Sequence, residues 1–253
     1  MKLKDTTVLV VDDEPMLLDI FRDWLQEEDC HVWTAGDGAA ALQILRDNHV
    51  DVIVSDLRMP VMDGVALVKK LPMSSPNQPK VIFISGFTDL EPREAYQLGV
   101  EALLQKPIER LQFVGAIRNV LQSREERWSE PAAQGGLSLH IALPCISEAI
   151  EQGRIAFGRG GFCLRCSSPI GEGPVRFDLE FEGEEVSFAG HGVVRWAEPE
   201  ESMLGVEISD LDEPCREWAL QLITTHAGLS YIPRAPLFGS EGRPRTMDMT
   251  FLR

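Results

Sequence analysis

Five positions carry groups that could do chemistry together. Asp12 and Asp13 stand directly after the apolar run Val8-Leu9-Val10-Val11, and Asp56 follows Val52-Ile53-Val54-Ser55. Ser85 comes after Val81-Ile82-Phe83-Ile84, and Lys106 after Ala102-Leu103-Leu104-Gln105. Three carboxylates, a hydroxyl and an ammonium suit phosphoryl transfer to a carboxylate. Acceptor and donor are both negative, so the transfer needs a divalent cation to bridge them and a side-chain cation to neutralise the moving oxygens. Asp12, Asp13 and Asp56 offer the oxygen ligands that Mg²⁺ prefers. Lys106 can reach the acceptor carboxylate or its phosphoryl oxygens, and Ser85 can donate a hydrogen bond to them. Taken singly, each residue has a plainer reading: an Asp pair caps a helix, a lone Asp turns a chain, and Lys-Pro is a loop step. Together, at successive ends of apolar runs, the chemical reading prevails.

The elements that position these groups are legible in the first half. Its apolar runs, with His31-Val32-Trp33 as a further one, alternate about five times with stretches of helical spacing. Leu17, Leu18, Phe21, Trp24 and Leu25 mark the first such stretch, Leu42, Ile44 and Leu45 the next, and Ile117, Val120 and Leu121 the last. Alternation of this kind implies a doubly wound α/β fold of flavodoxin-like type: a five-stranded parallel sheet with helices on both faces. Strands apolar throughout fit a sheet buried on both sides. Functional groups in such folds gather beyond the carboxyl ends of the strands, where these five residues fall.

Residues 124–136, from REERWSE to the small residues PAAQGG, lose the apolar period and read as a linker after a first domain at 1–123. From residue 137 the period becomes two. Leu137, Leu139, Ile141 and Leu143 alternate with polar or small residues, as do Val175 to Phe181 and Leu204 to Ile208. Short alternating strands with Gly-rich turns indicate a small antiparallel β-barrel, followed by a C-terminal helix on which Cys215, Trp218, Leu222 and Ile223 share a face. Asp212 reads as that helix's cap and Pro214 as part of its first turn. A second domain is therefore expected at 137–230, and 231–253, rich in Pro, Gly and Arg, reads as a flexible tail.

The net charge of −16 argues against a broad basic face for nucleic acid. The last helix, with Glu213, Arg216 and Glu217, is no basic recognition helix, so no DNA partner is expected. No apolar run approaches the roughly 20 residues that span a bilayer. MKLKDTTVLVVDDEP reads as a first strand instead of a signal peptide. Five scattered cysteines suggest reduced thiols and a cytoplasmic location. Cys163 and Cys166 form C-x-x-C, but no second pair stands nearby and residues three apart on a strand face opposite ways. His191 lies in GHGVVRW, read as a strand turn. No nucleophile elbow, P-loop or catalytic triad is present, and the protein is expected not to be an enzyme.

The segments VLVVDDEP, DVIVSDLRMPVMDG, VIFISG and LLQKP resemble the CheY-like receiver family of two-component response regulators over nearly all of residues 5–122. The resemblance implies that Asp56 is the phospho-acceptor, loaded by a sensor histidine kinase. It implies that Asp12 and Asp13 hold Mg²⁺ with Asp56 and the Arg58 carbonyl, and that Ser85 and Lys106 stabilise the phosphoryl group. Pro60, Asp63 and Gly64 fit the family's turn into its third helix. Where relatives carry Tyr or Phe on the fifth strand, this chain has Leu103, which cannot report activation through an aromatic rotamer. Propagation is then expected through backbone shifts.

The segment from GRIAFGRGGFCLRC to VRFDLEF, with FAGHGVVRW and MLGVEISDL, is similar to the PilZ family over roughly 137–226. That family is a six-stranded barrel plus helix and often a receptor for cyclic di-GMP. Its D/N-x-S-x-x-G motif, aligned on Gly161, places Ala156 and Gly158 where the polar residues belong, and PAAQGG lacks the family's arginine pair. Arg124 and Arg127 are spaced three apart and are assigned to the last helix of the first domain. The expectation is a PilZ-like domain that signals to a downstream protein by contact. Cyclic di-GMP binding through Arg154 and Arg159 is the second reading.

Overall fold

The structure, a computed structural model, describes residues 3–71, 78–86, 90–128, 137–166, 171–227 and 230–233. It divides into two compact units, Met1–Ser123 and Arg124–Arg253. Residues 129–136 of the expected linker and 234–253 of the expected tail lie outside the described residues.

The first unit builds a parallel sheet from β1 (Thr7–Val11), β2 (His31–Ala35), β3 (Val52–Asp56), β4 (Lys80–Ser85) and β5 (Ala102–Gln105). The spatial order is β2-β1-β3-β4-β5. The helices are α1 (Pro15–Gln26), α2 (Gly38–Asp47), α3 (Gly64–Lys69), α4 (Pro92–Gln97) and α5 (Arg110–Leu121). Because successive strand residues face opposite ways, the sheet feeds two separate cores. Val8, Val10, Val52, Val54, Ile82 and Ile84 pack with Phe21 and Leu25 of α1 and Phe113 and Ile117 of α5. Leu9, Val11, Ile53, Val81 and Phe83 meet Ala41 of α2, Leu67 and Val68 of α3 and Ala95 of α4. The rings of Phe21 and Phe113 stack at 4.5 Å, joining α1 to α5. This is the doubly wound fold expected from the alternation.

The second unit holds β6 (Leu137–Leu143), β7 (Ile155–Phe157), β8 (Gly161–Arg165), β9 (Gly173–Phe181), β10 (Phe188–Glu198) and β11 (Met203–Leu211), with helices α6 (Arg124–Arg127), α7 (Ile146–Glu151) and α8 (Arg216–His226). Its sheet runs β6-β9-β10-β11-β8-β7. Here the expected antiparallel barrel needs correcting. β6 pairs with β9 in parallel, Leu137 opposite Val175 through Leu143 opposite Phe181, so the sheet is mixed and curled, with β6 and β7 at opposite edges. Period-two alternation reports burial of one face and is the same for either strand direction. Phe157, Phe162, Phe177 and Phe188 fill the inner face, where Leu222 and Ile223 of α8 pack and Trp218 adds partly buried contacts.

Four further readings change. Arg124 and Arg127 belong to α6 of the second unit and not to the last helix of the first, which ends at Leu121. Trp128, read as linker, is 1% exposed within the second core. Tyr231 and Ile232, read as the start of a tail, are buried as well. For Trp128 and Tyr231 the reason is shared: a lone aromatic among polar, Pro- and Gly-rich neighbours has no local period to betray its burial. Asp212 does not cap α8. Cys215 holds the cap position without a side-chain bond, while Asp212 takes a bidentate pair from Arg176 at 2.8 and 2.5 Å.

Candidate functional site

Chain order reverses between β1 and β3, since β2 lies outside β1 while β4 and β5 extend beyond β3. Loops leaving β1 and β3 therefore diverge and open a crevice at their carboxyl ends. Asp12 and Asp13 follow β1 directly, and Asp56 ends β3. One carboxylate oxygen from each of the three lies within 4.8 Å of the others.

Local chemistry fixes each group. Asp12 is fully buried, and its Oδ1 accepts a bond from the Glu14 amide at 2.8 Å. Asp56 accepts from the Arg58 amide at 3.4 Å. Asp63 caps α3 by accepting from the Ala66 amide at 2.7 Å. Gly64 begins that helix against the site: a Cβ there would stand 2.4 Å from the Asp56 carbonyl oxygen, so glycine alone allows the approach. Ser85 ends β4 one step past Ile84, the register partner of Asp56, and its carbonyl accepts from the Lys106 amide at 2.9 Å.

Lys106 follows β5 and reaches back across the sheet. Its Nζ lies 2.7 Å from Asp56 Oδ2, 3.2 Å from Asp12 Oδ2 and 3.6 Å from Glu14 Oε1. Burial works to lower the Lys106 pKa, but the hydrogen bond to Asp56 and the charges of Asp12 and Asp56 outweigh it, holding the ammonium above its ordinary value. Asp12 moves the opposite way to what a lysine neighbour alone would give. Its burial outweighs the Glu14 amide and Lys106, and its carboxyl is raised above the ordinary range. The two directions are compatible, because desolvation of a fully buried carboxylate exceeds what one shared ammonium returns.

Clustered carboxylates converging on one point, with one cation already in their midst, are an arrangement that accepts a hard divalent ion. Residues 8–118 match the response regulator receiver domain family. Residues 8–118 form a receiver domain.

The chain is similar to the transcriptional regulatory protein GlrR of Escherichia coli (strain K12), 31% identical over 159 residues, which is 61% of this chain and 34% of that protein. The response regulator GtcR of Aneurinibacillus migulanus is 30% identical over 125 residues, 49% of this chain and 51% of the relative. The chain thus spans about a third to a half of the length of these relatives. Among solved structures, the chemotaxis response regulator CheY4 of Vibrio cholerae matches at 30% identity and a TM-score of 0.43, over 47% of this chain and 100% of that one.

The receiver site brings together the acidic residues and the lysine expected from sequence, with Ser85 at the adjacent strand end. Two residues of this end of the sheet and its loops had no motif to announce them. Glu14 adds a third carboxylate to Lys106, and Val61, in the loop between β3 and α3, is 86% exposed with φ at +65°. Leu103 lies partly buried against the core on the α2–α4 face.

In the second unit, Arg154 and Arg159 flank opposite ends of the three-residue strand β7. Arg154 reaches the Ala142 carbonyl at 3.4 Å, and the Arg159 amide bonds the Ser230 carbonyl at 2.9 Å. Cys163 is buried and its thiol is pushed up to about 12 by that burial, which disfavours the thiolate a metal or redox role requires. No helix among the described residues is long and apolar enough to cross a membrane.

Proposed function

We propose that the protein is a two-component response regulator that accepts a phosphoryl group on Asp56 from a sensor histidine kinase and signals through protein contacts of its second unit. The observation that carries the first half is the convergence of the Asp12, Asp13 and Asp56 carboxylates beside the Lys106 ammonium. These hard oxygen donors fit Mg²⁺, which Asp12, Asp13 and Asp56 would hold, the Arg58 carbonyl joining them by family resemblance. When bound, the ion supplies charge neutralisation between acceptor and donor.

The chain's own residues do the rest. An Asp56 carboxylate oxygen forms the new bond to phosphorus while the bond from phosphorus to the donor's imidazole nitrogen breaks and the nitrogen keeps its electron pair. Lys106 is already 2.7 Å from Asp56 and can follow the charge onto the phosphoryl oxygens. Ser85, beside Asp56's register partner, is placed to donate its hydroxyl to the same oxygens. The Arg58 amide and the pairing of β3 with β4 hold Asp56 in place, so little reorganisation accompanies transfer.

For the second unit we favour a PilZ-like output acting by contact, without catalysis. In support, the sheet-plus-helix order fits, while Ala156 and Gly158 offer no side-chain donors and the chain's own Tyr231 lies against Gly158 and Gly160. Cyclic di-GMP binding through Arg154 and Arg159 draws no support from their separation across β7.

The test uses acetyl phosphate or beryllofluoride with Mg²⁺. Phosphorylated protein is expected to gain 80 Da (about one HPO₃ group) at Asp56 and to lose it in alkali. Asp56→Asn should gain nothing. A wild-type protein with neither an adduct nor a beryllofluoride-dependent spectral change would end the reading.

A further inference from the structure

One carboxylate of the receiver site faces the water. Glu14 holds the N-terminal cap position of α1, with Pro15 first in the helix, yet its side chain makes no cap bond. Its amide is the group held, donating to Asp12 Oδ1 at 2.8 Å. The Glu14 side chain is 63% exposed, whereas those of Asp12 and Asp56 are 0% and 10% exposed. The two aspartates thus lie inside the crevice and Glu14 at its mouth. There Glu14 Oε1 lies 3.6 Å from Lys106 Nζ, the same ammonium that stands 2.7 Å from Asp56 Oδ2. Sharing one nitrogen keeps the two carboxylates within about 6 Å of each other, inside the screening length of about 8 Å at physiological salt.

We propose that Glu14 is a selectivity residue for the phosphodonor, whose negative charge at the mouth slows loading of Asp56 by small, doubly negative donors free in solution. The inference rests on the phosphoryl-transfer reading of Asp56 and adds to it which donors that acceptor disfavours.

Its basis is charge. Asp12, Asp13 and Asp56 bring three negative charges to one point, which Lys106 and a divalent ion together neutralise. Glu14 leaves one negative charge over, on the side from which a donor arrives. It repels that donor in proportion to the donor's own charge. It also gives Lys106 a further partner, one the ammonium must release to follow the phosphoryl oxygens. A donor protein offsets the repulsion through its own docking contacts, whereas a small molecule has none. Glu14 thereby biases Asp56 toward protein donors.

Acetyl phosphate and phosphoramidate, doubly and singly negative near neutral pH, test this on the full chain with Mg²⁺. With the first, the bond from an Asp56 oxygen to phosphorus forms as the phosphorus–oxygen bond breaks, and acetate leaves with the electron pair. With the second, the phosphorus–nitrogen bond breaks and ammonia leaves. Glu14→Gln should load about fivefold faster than wild type from acetyl phosphate and only about twofold faster from phosphoramidate. Salt at 1 M should remove most of both gains. Glu14→Asp keeps the charge and should load as wild type does. Equal acceleration with the two donors, or none, would overturn the inference. Without any donor the same charge should attract magnesium, so Glu14→Gln is expected to bind it about threefold more weakly in calorimetry. An unchanged affinity would overturn the inference as well. Exposed ion pairs contribute little to stability, so the variant should fold and melt as wild type does. A wild type that loads from neither donor would instead remove the phosphoryl-transfer reading, and this inference with it.

Discussion

Lys106 Nζ is nearer to Asp56, at 2.7 Å, than to Asp12 at 3.2 Å, so one ammonium serves as the internal counter-ion of two carboxylates. In Lys106→Met both carboxylates lose it. The receiver should lose about 1–3 kcal/mol without divalent ions, less than a fully buried pair because Lys106 is partly exposed. Magnesium should bind the variant more tightly, since its competitor is gone. Urea unfolding with and without MgCl₂ checks both effects.

Asp12 has the opposite stability sign. Its folded pKa is raised, so its favourable contribution is present below the ordinary 3.8 and is lost as pH rises through the raised value. At pH 7 the ionised side chain is a cost. Asp12→Asn should therefore melt at a higher temperature than wild type at neutral pH without magnesium, and the gap should close near pH 3. The same variant should lose most of the melting shift that magnesium gives the wild type.

Val61 is a β-branched residue held at φ +65°, and the Met62 amide closes a tight turn onto the Pro60 carbonyl at 2.7 Å. Left-handed backbone costs a non-glycine residue about 1–3 kcal/mol, against which glycine loses about 0.5–1 kcal/mol of chain entropy. Val61→Gly should stabilise the receiver by roughly 1 kcal/mol, read from its denaturation midpoint.

Asp212 is held below the ordinary carboxylate range by its hydrogen bond from Arg176, which outweighs its burial. Its stabilising contribution is thus present above the ordinary 3.8 and is lost as pH falls through the lowered value. Both side chains are about a third exposed, so solvent screening limits the pair to about 1 kcal/mol. Arg176→Ala should melt earlier than wild type at pH 7, by less in 1 M salt, and equally with it near pH 2.

Trp128 tests the boundary between the units. Its carbonyl accepts from the Leu211 amide and from Arg216, and its ring is enclosed by the second core. Trp128→Ala should cost the second unit about 3–5 kcal/mol and leave the receiver's melting unchanged. Hydrogen exchange resolved by residue separates the two.

The receiver was readable because its central strands are largely apolar and its chemical residues fall at or just past their ends. Val81 to Ile84 announces a strand and Ser85 its end without any tertiary knowledge. The second unit was readable as strands but not as a sheet. Nothing in Leu137, Leu139 and Ile141 says that their neighbour is Val175 to Leu179, running the same way. Trp128 and Tyr231 were missed for a different reason. Each is anchored by groups far along the chain, Arg216 for one and Glu207 for the other, and local composition is blind to such partners. Asp212 looked like a cap because its spacing before α8 is right. Arg176 on β9 takes both of its carboxylate oxygens instead, and only the fold brings that partner near.

The parallel pairing of β6 with β9 has a kinetic side. The strand made first by the ribosome cannot find its neighbour through a hairpin, because α7, β7 and β8 intervene. Closing so large a loop before any contact rewards it is slow compared with joining β10 to β11. An order follows for assembly of this unit: the hairpin strands zip early, and the border strand docks last.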